Sequence, residues 1–135
     1  MLLDPRLKAD SYTIIDLALC QVRLHHNGAF PWILLIPRQE NLSEIIDLSP
    51  PDQLVLMQEI AVSSEIMRDL FRPKKLNVAS LGNIVPQLHV HIVARYETDE
   101  AWPGPVWNNG VSRAYEADEL EKRIDILRKA FEIRA

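Results

Sequence analysis

The stretch Gln87-Leu88-His89-Val90-His91-Ile92-Val93 constrains this chain more than any other. Apolar residues fall at every second position and β-branched types dominate, which is the pattern of a strand. Successive side chains of a strand point to opposite faces. Leu88, Val90 and Ile92 are therefore expected on one face, and Gln87, His89 and His91 on the other. One face packs into a core while the other presents two imidazoles and an amide. Such a strand carries a chemical site or a metal site.

The remaining segments supply a sheet and helices around it. Residues 17–25 alternate, with Cys20, Val22 and Leu24 facing one way and Gln21, Arg23 and His25 the other. His26-Asn27-Gly28 is a turn signal, and Trp32-Ile33-Leu34-Leu35-Ile36 is a short apolar run ended by Pro37, so 17–25 and 32–36 are predicted to form a hairpin. A third strand is predicted over 76–81, and the histidine strand over 88–95. Ser49-Pro50-Pro51-Asp52 starts a helix: serine caps, and proline stands where no N–H is needed. Leu56, Ile60, Met67 and Leu70 extend it as one stripe over 50–71. Leu120, Ile124, Leu127 and Phe131 predict a C-terminal helix over 115–132, and Asp4-Pro5 a short helix through about Asp10. Strands joined by hairpins and mixed with separate helices indicate an α+β domain with a mainly antiparallel sheet. At 135 residues, 1–135 is expected to be a single domain.

Charge and cysteine usage narrow the partners. A net charge of −4 argues against a general nucleic-acid binder, although a local cluster of donors can still hold a small anionic ligand. The single cysteine, Cys20, cannot form an internal disulfide and lies in an apolar run, so it reads as an inert core thiol in a reducing compartment. No apolar run reaches the roughly 18 residues of a membrane span. The first residues lack the basic start and long apolar stretch of a signal peptide. A cytoplasmic protein without membrane contact is expected.

A neutral imidazole is nucleophilic, and attack of His89 on phosphorus would split one hard displacement into two easier ones. His91, on the same face, could bond the same phosphate, with backbone and amide donors of Gly82-Asn83 holding its oxygens. A zinc site is the alternative, since His-x-His on a strand can chelate and His25 or His26 could supply a further ligand. No cysteine or acidic partner has obvious ligand spacing, so no metal is assigned. His25-His26 at a turn reads as solvated, Trp102 and Trp107 as packing anchors, and Arg38 as a surface charge.

The pattern His-φ-His-φ-His-φ-φ, with φ apolar, is that of the histidine triad (HIT) superfamily, and residues 87–93 resemble it. Pro31-Trp32-Ile33-Leu34-Leu35-Ile36-Pro37-Arg38 looks like the family's strand ending in Pro and a basic residue. Leu76-Asn77-Val78 followed by Gly82-Asn83 resembles the segment ahead of the triad, and 101–107 resembles the tail of a bacterial branch. The resemblance implies a HIT-like antiparallel sheet with one long central helix and a C-terminal helix. It also implies a homodimer and a nucleotidyl hydrolase or transferase that needs no cofactor. Such an enzyme cleaves at the α-phosphate of a nucleotide conjugate, such as a dinucleoside polyphosphate, through a covalent nucleotidyl-histidine intermediate. His89 would be the nucleophile, His91 a phosphate contact, and Gln87 the residue whose carbonyl orients the nucleophile. His26, Asn27, Ile36, Asn77, Gly82 and Asn83 would contact the nucleotide.

Two positions depart from the family. Gln87 replaces the first triad histidine, but the orienting carbonyl survives any side-chain change, so activity is expected to be altered, not lost. Ile84 stands where many members carry a serine that helps protonate the leaving group, which favours a phosphate or polyphosphate leaving group. A nucleotide-binding regulatory module with weak or no turnover is the alternative. Retention of both His89 and His91 favours the enzyme, because binding alone needs no nucleophile.

Overall fold

The alternating segments meet in one sheet. The computed structural model describes residues 2–134. Its elements are α1 (Pro5–Ala9), β1 (Ser11–Asp16), β2 (Cys20–His25), β3 (Trp32–Pro37), α2 (Pro50–Phe71), β4 (Lys75–Ser80), β5 (Val90–Arg95) and α3 (Ala117–Arg134). The five strands lie in the order β1-β2-β3-β5-β4, every pair antiparallel. This is the expected α+β architecture, with α2 as the long helix between the two halves of the sheet. Among the described residues, no helix is long and apolar enough to cross a membrane.

Helix α2 begins and ends as its sequence dictates. Ser49 Oγ accepts from the Asp52 amide, Pro50 and Pro51 fill the first turn, and Arg72 closes the helix in the left-handed region at φ 49°. Its buried stripe, Leu56, Ile66 and Met67, packs with Leu127 and Phe131 of α3 on one face of the sheet. Val22, Leu24, Ile33, Leu35, Val90 and Ile92 come up from the strands to meet them. Each such side chain contributes about 1.5–3 kcal/mol by leaving water.

The opposite face was expected to be polar, and it is largely apolar. Trp32, Leu34, Ile36 and Val93 form a second cluster there with Leu7 of α1, Phe30 and Val106. Arg23 is buried on this face without a carboxylate and is satisfied by neutral oxygens, donating to Ser11 Oγ, Thr13 Oγ1 and Gln21 Oε1 and to the Ser11 carbonyl. These bonds tie the start of β1 to β2. A further hydrogen bond, from Ser11 Oγ to the Leu7 carbonyl, fastens α1 over the sheet.

Three differences from expectation have a physical reason in the structure. Strand β1 was not foreseen, because a bulge between Thr13 and Ile15 breaks its alternation and leaves the burial pattern irregular. The strand expected from residue 17 starts at Cys20, since Leu17–Leu19 form the turn from β1. There the buried Glu59 carboxylate accepts from the Leu19 and Cys20 amides at 2.9 and 2.8 Å, while Arg38 donates to the Leu17 carbonyl instead of standing free on the surface. The histidine strand begins at Val90, so Gln87, Leu88 and His89 precede it in a connection anchored by the Leu88 amide on the Leu42 carbonyl.

Candidate active site

Strand register gathers the aromatic and imidazole rings. Leu24 pairs with Ile33, which sets His25 beside Trp32, and Leu34 pairs with His91, which sets Trp32 diagonally from His91. The His25 and Trp32 rings stack at 3.7 Å, and the His91 ring lies 5.7 Å from Trp32. Trp107 closes the row, edge-on to both Trp32 and His91. His89 completes it, 4.9 Å from His91. A cavity of about 320 Å³ opens between these rings, with Leu7 of α1 on one side and Asn83, Ile84 and Val85 on another.

The two imidazoles are held in opposite protonation patterns. His89 Nδ1 lies 2.6 Å from the Gln87 carbonyl oxygen, an acceptor only, so Nδ1 carries the proton and donates it. With the proton on Nδ1, Nε2 keeps its lone pair. In His91 the order is reversed. The Trp32 indole, which can only donate, places its N–H on His91 Nδ1 at 3.0 Å, so this nitrogen is bare and the neutral ring is protonated at Nε2. One ring offers an electron pair and its neighbour a proton, as transfer of a phosphoryl centre requires.

Burial keeps His91 and His25 uncharged. It pushes His91 down to about 3, helped by the neighbouring His89, and pushes His25 down to about 3, helped by His26 and His91. His25 Nδ1 also accepts from the Asn27 amide at 3.0 Å, so this residue is packed and bonded, not solvated. Among the described residues, no group of three His, Cys, Asp or Glu side chains is placed to hold a metal ion.

The expected site residues separate into three groups. His89, His91 and Asn83 line the cavity. Gln87 supplies its carbonyl as expected, and its side chain has a task that was not foreseen: Oε1 accepts from the Asp4 amide at 2.7 Å and Nε2 donates to the Leu2 carbonyl. Gly82 turns the chain from β4 towards Asn83, where an added Cβ would meet the Val85 carbonyl oxygen at 3.4 Å. The others stand apart from the cavity. Asn27 is buried, accepting from Ala29 and Arg113 amides and donating to the Val111 carbonyl. Asn77 accepts from Arg95, Ile36 is fully buried in the second cluster, and His26 is exposed with Nε2 3.8 Å from Asp10.

Trp32, Trp107, Leu7, Asp10 and His25 line the cavity without having been singled out for it. Trp107 arrives through a segment organised by Arg95. This buried guanidinium meets Asp99 twice, at 2.9 and 3.0 Å, and donates to Asn77 and the Gly104 carbonyl. Asp99 in turn accepts from the Tyr96, Ala101 and Trp102 amides. Strand alternation could have flagged His25; nothing local in the sequence pointed Trp107 at His91.

The sequence matches the family described as HIT domain over residues 6–98, and the chain belongs to that family. Among solved structures it is similar to a histidine triad protein of Bradyrhizobium japonicum, with 44% identity, TM-score 0.93 and 96% of each chain covered. A histidine triad protein of Marinobacter aquaeolei VT8 is 39% identical, with TM-score 0.95, covering 99% of this chain and 98% of that one. The fold likeness extends to the diadenosine triphosphate hydrolase of Plasmodium falciparum at 16% identity and TM-score 0.62, covering 98% and 80%. No curated protein sequence matches the chain at a significant level.

Stability should carry the imprint of the buried neutral rings. His25 and His91 sit near 3 in the folded chain, against about 6.5 unfolded. Below about pH 6.5 the unfolded state therefore binds protons that the native state refuses, and stability falls as pH drops. Each ring contributes a slope of at most about 1.4 kcal/mol per pH unit. Urea midpoints measured from pH 7 to 4 should decline, and His25→Gln should flatten the decline. Parallel curves for the two proteins would contradict the assignment.

Proposed function

We propose that the chain is a nucleotidyl hydrolase or transferase acting at the α-phosphate of a nucleotide conjugate, a dinucleoside polyphosphate or similar. Membership of a family of nucleotide hydrolases and transferases supports the class. The observation that carries the mechanism is the pair of opposed tautomers at one cavity. His89 Nε2 attacks the α-phosphorus and the bond to the bridging oxygen of the leaving group breaks, while the Gln87 carbonyl stabilises the positive charge that grows at Nδ1–H. His91 Nε2–H donates to a phosphate oxygen, and the Asn83 amide stands ready to hold another. Water or a second acceptor then displaces the nucleotidyl group from His89. The reaction runs in the cytoplasm on a small-molecule substrate.

A binding module with little turnover is the second reading, favoured by one observation. Ile84, 79% exposed, gives the cavity wall beside His89 no side-chain proton donor for a leaving group. The two readings part on a covalent adduct. Incubation with diadenosine tetraphosphate should yield a nucleotidyl adduct on intact-mass analysis, lost in His89→Ala. Turnover in that variant should fall on the order of a thousandfold or more, while nucleotide binding persists. EDTA should leave turnover intact, because an imidazole and not a metal-bound water is the nucleophile. Full activity of His89→Ala, or loss to EDTA with recovery on zinc, would overturn the mechanism.

The assembly we propose is an isologous homodimer. Ile46, Leu54 and Met57 are 81%, 69% and 62% exposed on α2 and the turn before it, more apolar surface than a solvated helix face needs. Light scattering at micromolar concentration should report twice the 15.5 kDa chain mass. A monomer would count against it.

A further inference from the structure

The cavity wall holds no cation, yet one stands at its rim. Among the described residues the lining holds no lysine or arginine, and its polar groups include Asn83, Asn108, His89 and His91 together with the Asp10 carboxylate. Arg6, in the first turn of α1, reaches the rim at Ile84: its NH1 donates to the Ile84 carbonyl at 2.9 Å. Asp4 holds the other edge of the guanidinium, at 3.2 Å from Nε and 3.0 Å from NH2. Three of the five guanidinium N–H groups are thus engaged, and one on each terminal nitrogen is open.

The position of Arg6 is built, not incidental. The Gln87 carboxamide grips the backbone of Leu2 and Asp4, so the residue that orients His89 also seats the segment bearing Arg6. One residue further on, Leu7 is buried and forms part of the cavity wall.

We propose that Arg6 is a specificity-determining residue that binds the departing phosphate and so selects polyphosphate conjugates over those whose leaving group carries no phosphate. This rests on the function proposed above and names its substrate class. As the His89 Nε2–phosphorus bond forms, the bond from the α-phosphorus to the bridging oxygen breaks. The electron pair leaves on that oxygen, adding charge to the β-phosphate. With a side chain at position 84 that supplies no proton, the stabilisation comes from a fixed cation, whose planar donors suit phosphate oxygens.

Two variants and two substrates separate this role from a structural one. Arg6→Gln keeps an amide donor for the Ile84 carbonyl and removes the charge; Arg6→Lys keeps the charge. The comparison is kcat/KM for diadenosine tetraphosphate against the 4-nitrophenyl ester of adenosine 5′-monophosphate, whose leaving group carries no phosphate. Loss of one charge-assisted bond should lower the ratio between the two substrates about 10- to 100-fold in Arg6→Gln. Arg6→Lys should recover much of it. An equal fall on both substrates, or no fall on either, would overturn the proposal.

If wild-type protein turned over neither substrate, the catalytic reading would fail and calorimetry would still judge Arg6. Its charge should favour adenosine triphosphate over the monophosphate, with that preference reduced about tenfold in Arg6→Gln. An unchanged preference would refute the role of Arg6.

Discussion

The hydrogen bond from His89 Nδ1 to the Gln87 carbonyl governs what this cavity can do chemically. A free imidazole exchanges its proton between two nitrogens, and only one arrangement leaves Nε2 able to attack. A backbone carbonyl two residues upstream settles the matter without a charged partner. The side chain at position 87 is then available for other work, and here it fastens the N-terminal segment. The Trp32–His91 bond applies the same logic in reverse, with a pure donor where the other ring has a pure acceptor.

Such arrangements hold only on a rigid support. Both rings belong to a face whose apolar cluster is covered by α1 and by the segment after β5. That segment depends on Arg95 and Asp99, buried together and satisfied by each other, by Asn77 and by backbone groups. Removing one member would leave an unpaired buried charge, costing about 3–5 kcal/mol. Trp107 would lose its place against His91 as a consequence. On the other face, α2 and α3 hold the strands that fix register, and register is what sets His25, Trp32 and His91 in one row.

Much of this was legible in the amino-acid order. Alternation located β2, β3, β4 and β5, the Ser49-Pro50-Pro51 start located α2, and the spacing of His89 and His91 located two of the rings that line the cavity. What escaped depended on partners distant in sequence. Strand β1 carries a bulge that erases its period. Asn27 and Asn77 resemble ligand donors in a list of residues, but their bonds go to Val111, Arg113 and Arg95. Trp32 read as one member of an apolar run, and only its cross-strand neighbour gives its N–H a purpose. The Gln87 side chain looked dispensable because its partners, Leu2 and Asp4, lie over eighty residues away.

The opposed tautomers can be observed directly by long-range proton–nitrogen correlation NMR of the imidazole rings at neutral pH. A proton on Nδ1 of His89 and on Nε2 of His91, with the other nitrogen of each ring bare, is the expected result. The reverse pattern in His89 would put its proton where the proposed attack needs an electron pair, and would contradict the proposed role of His89 as the nucleophile.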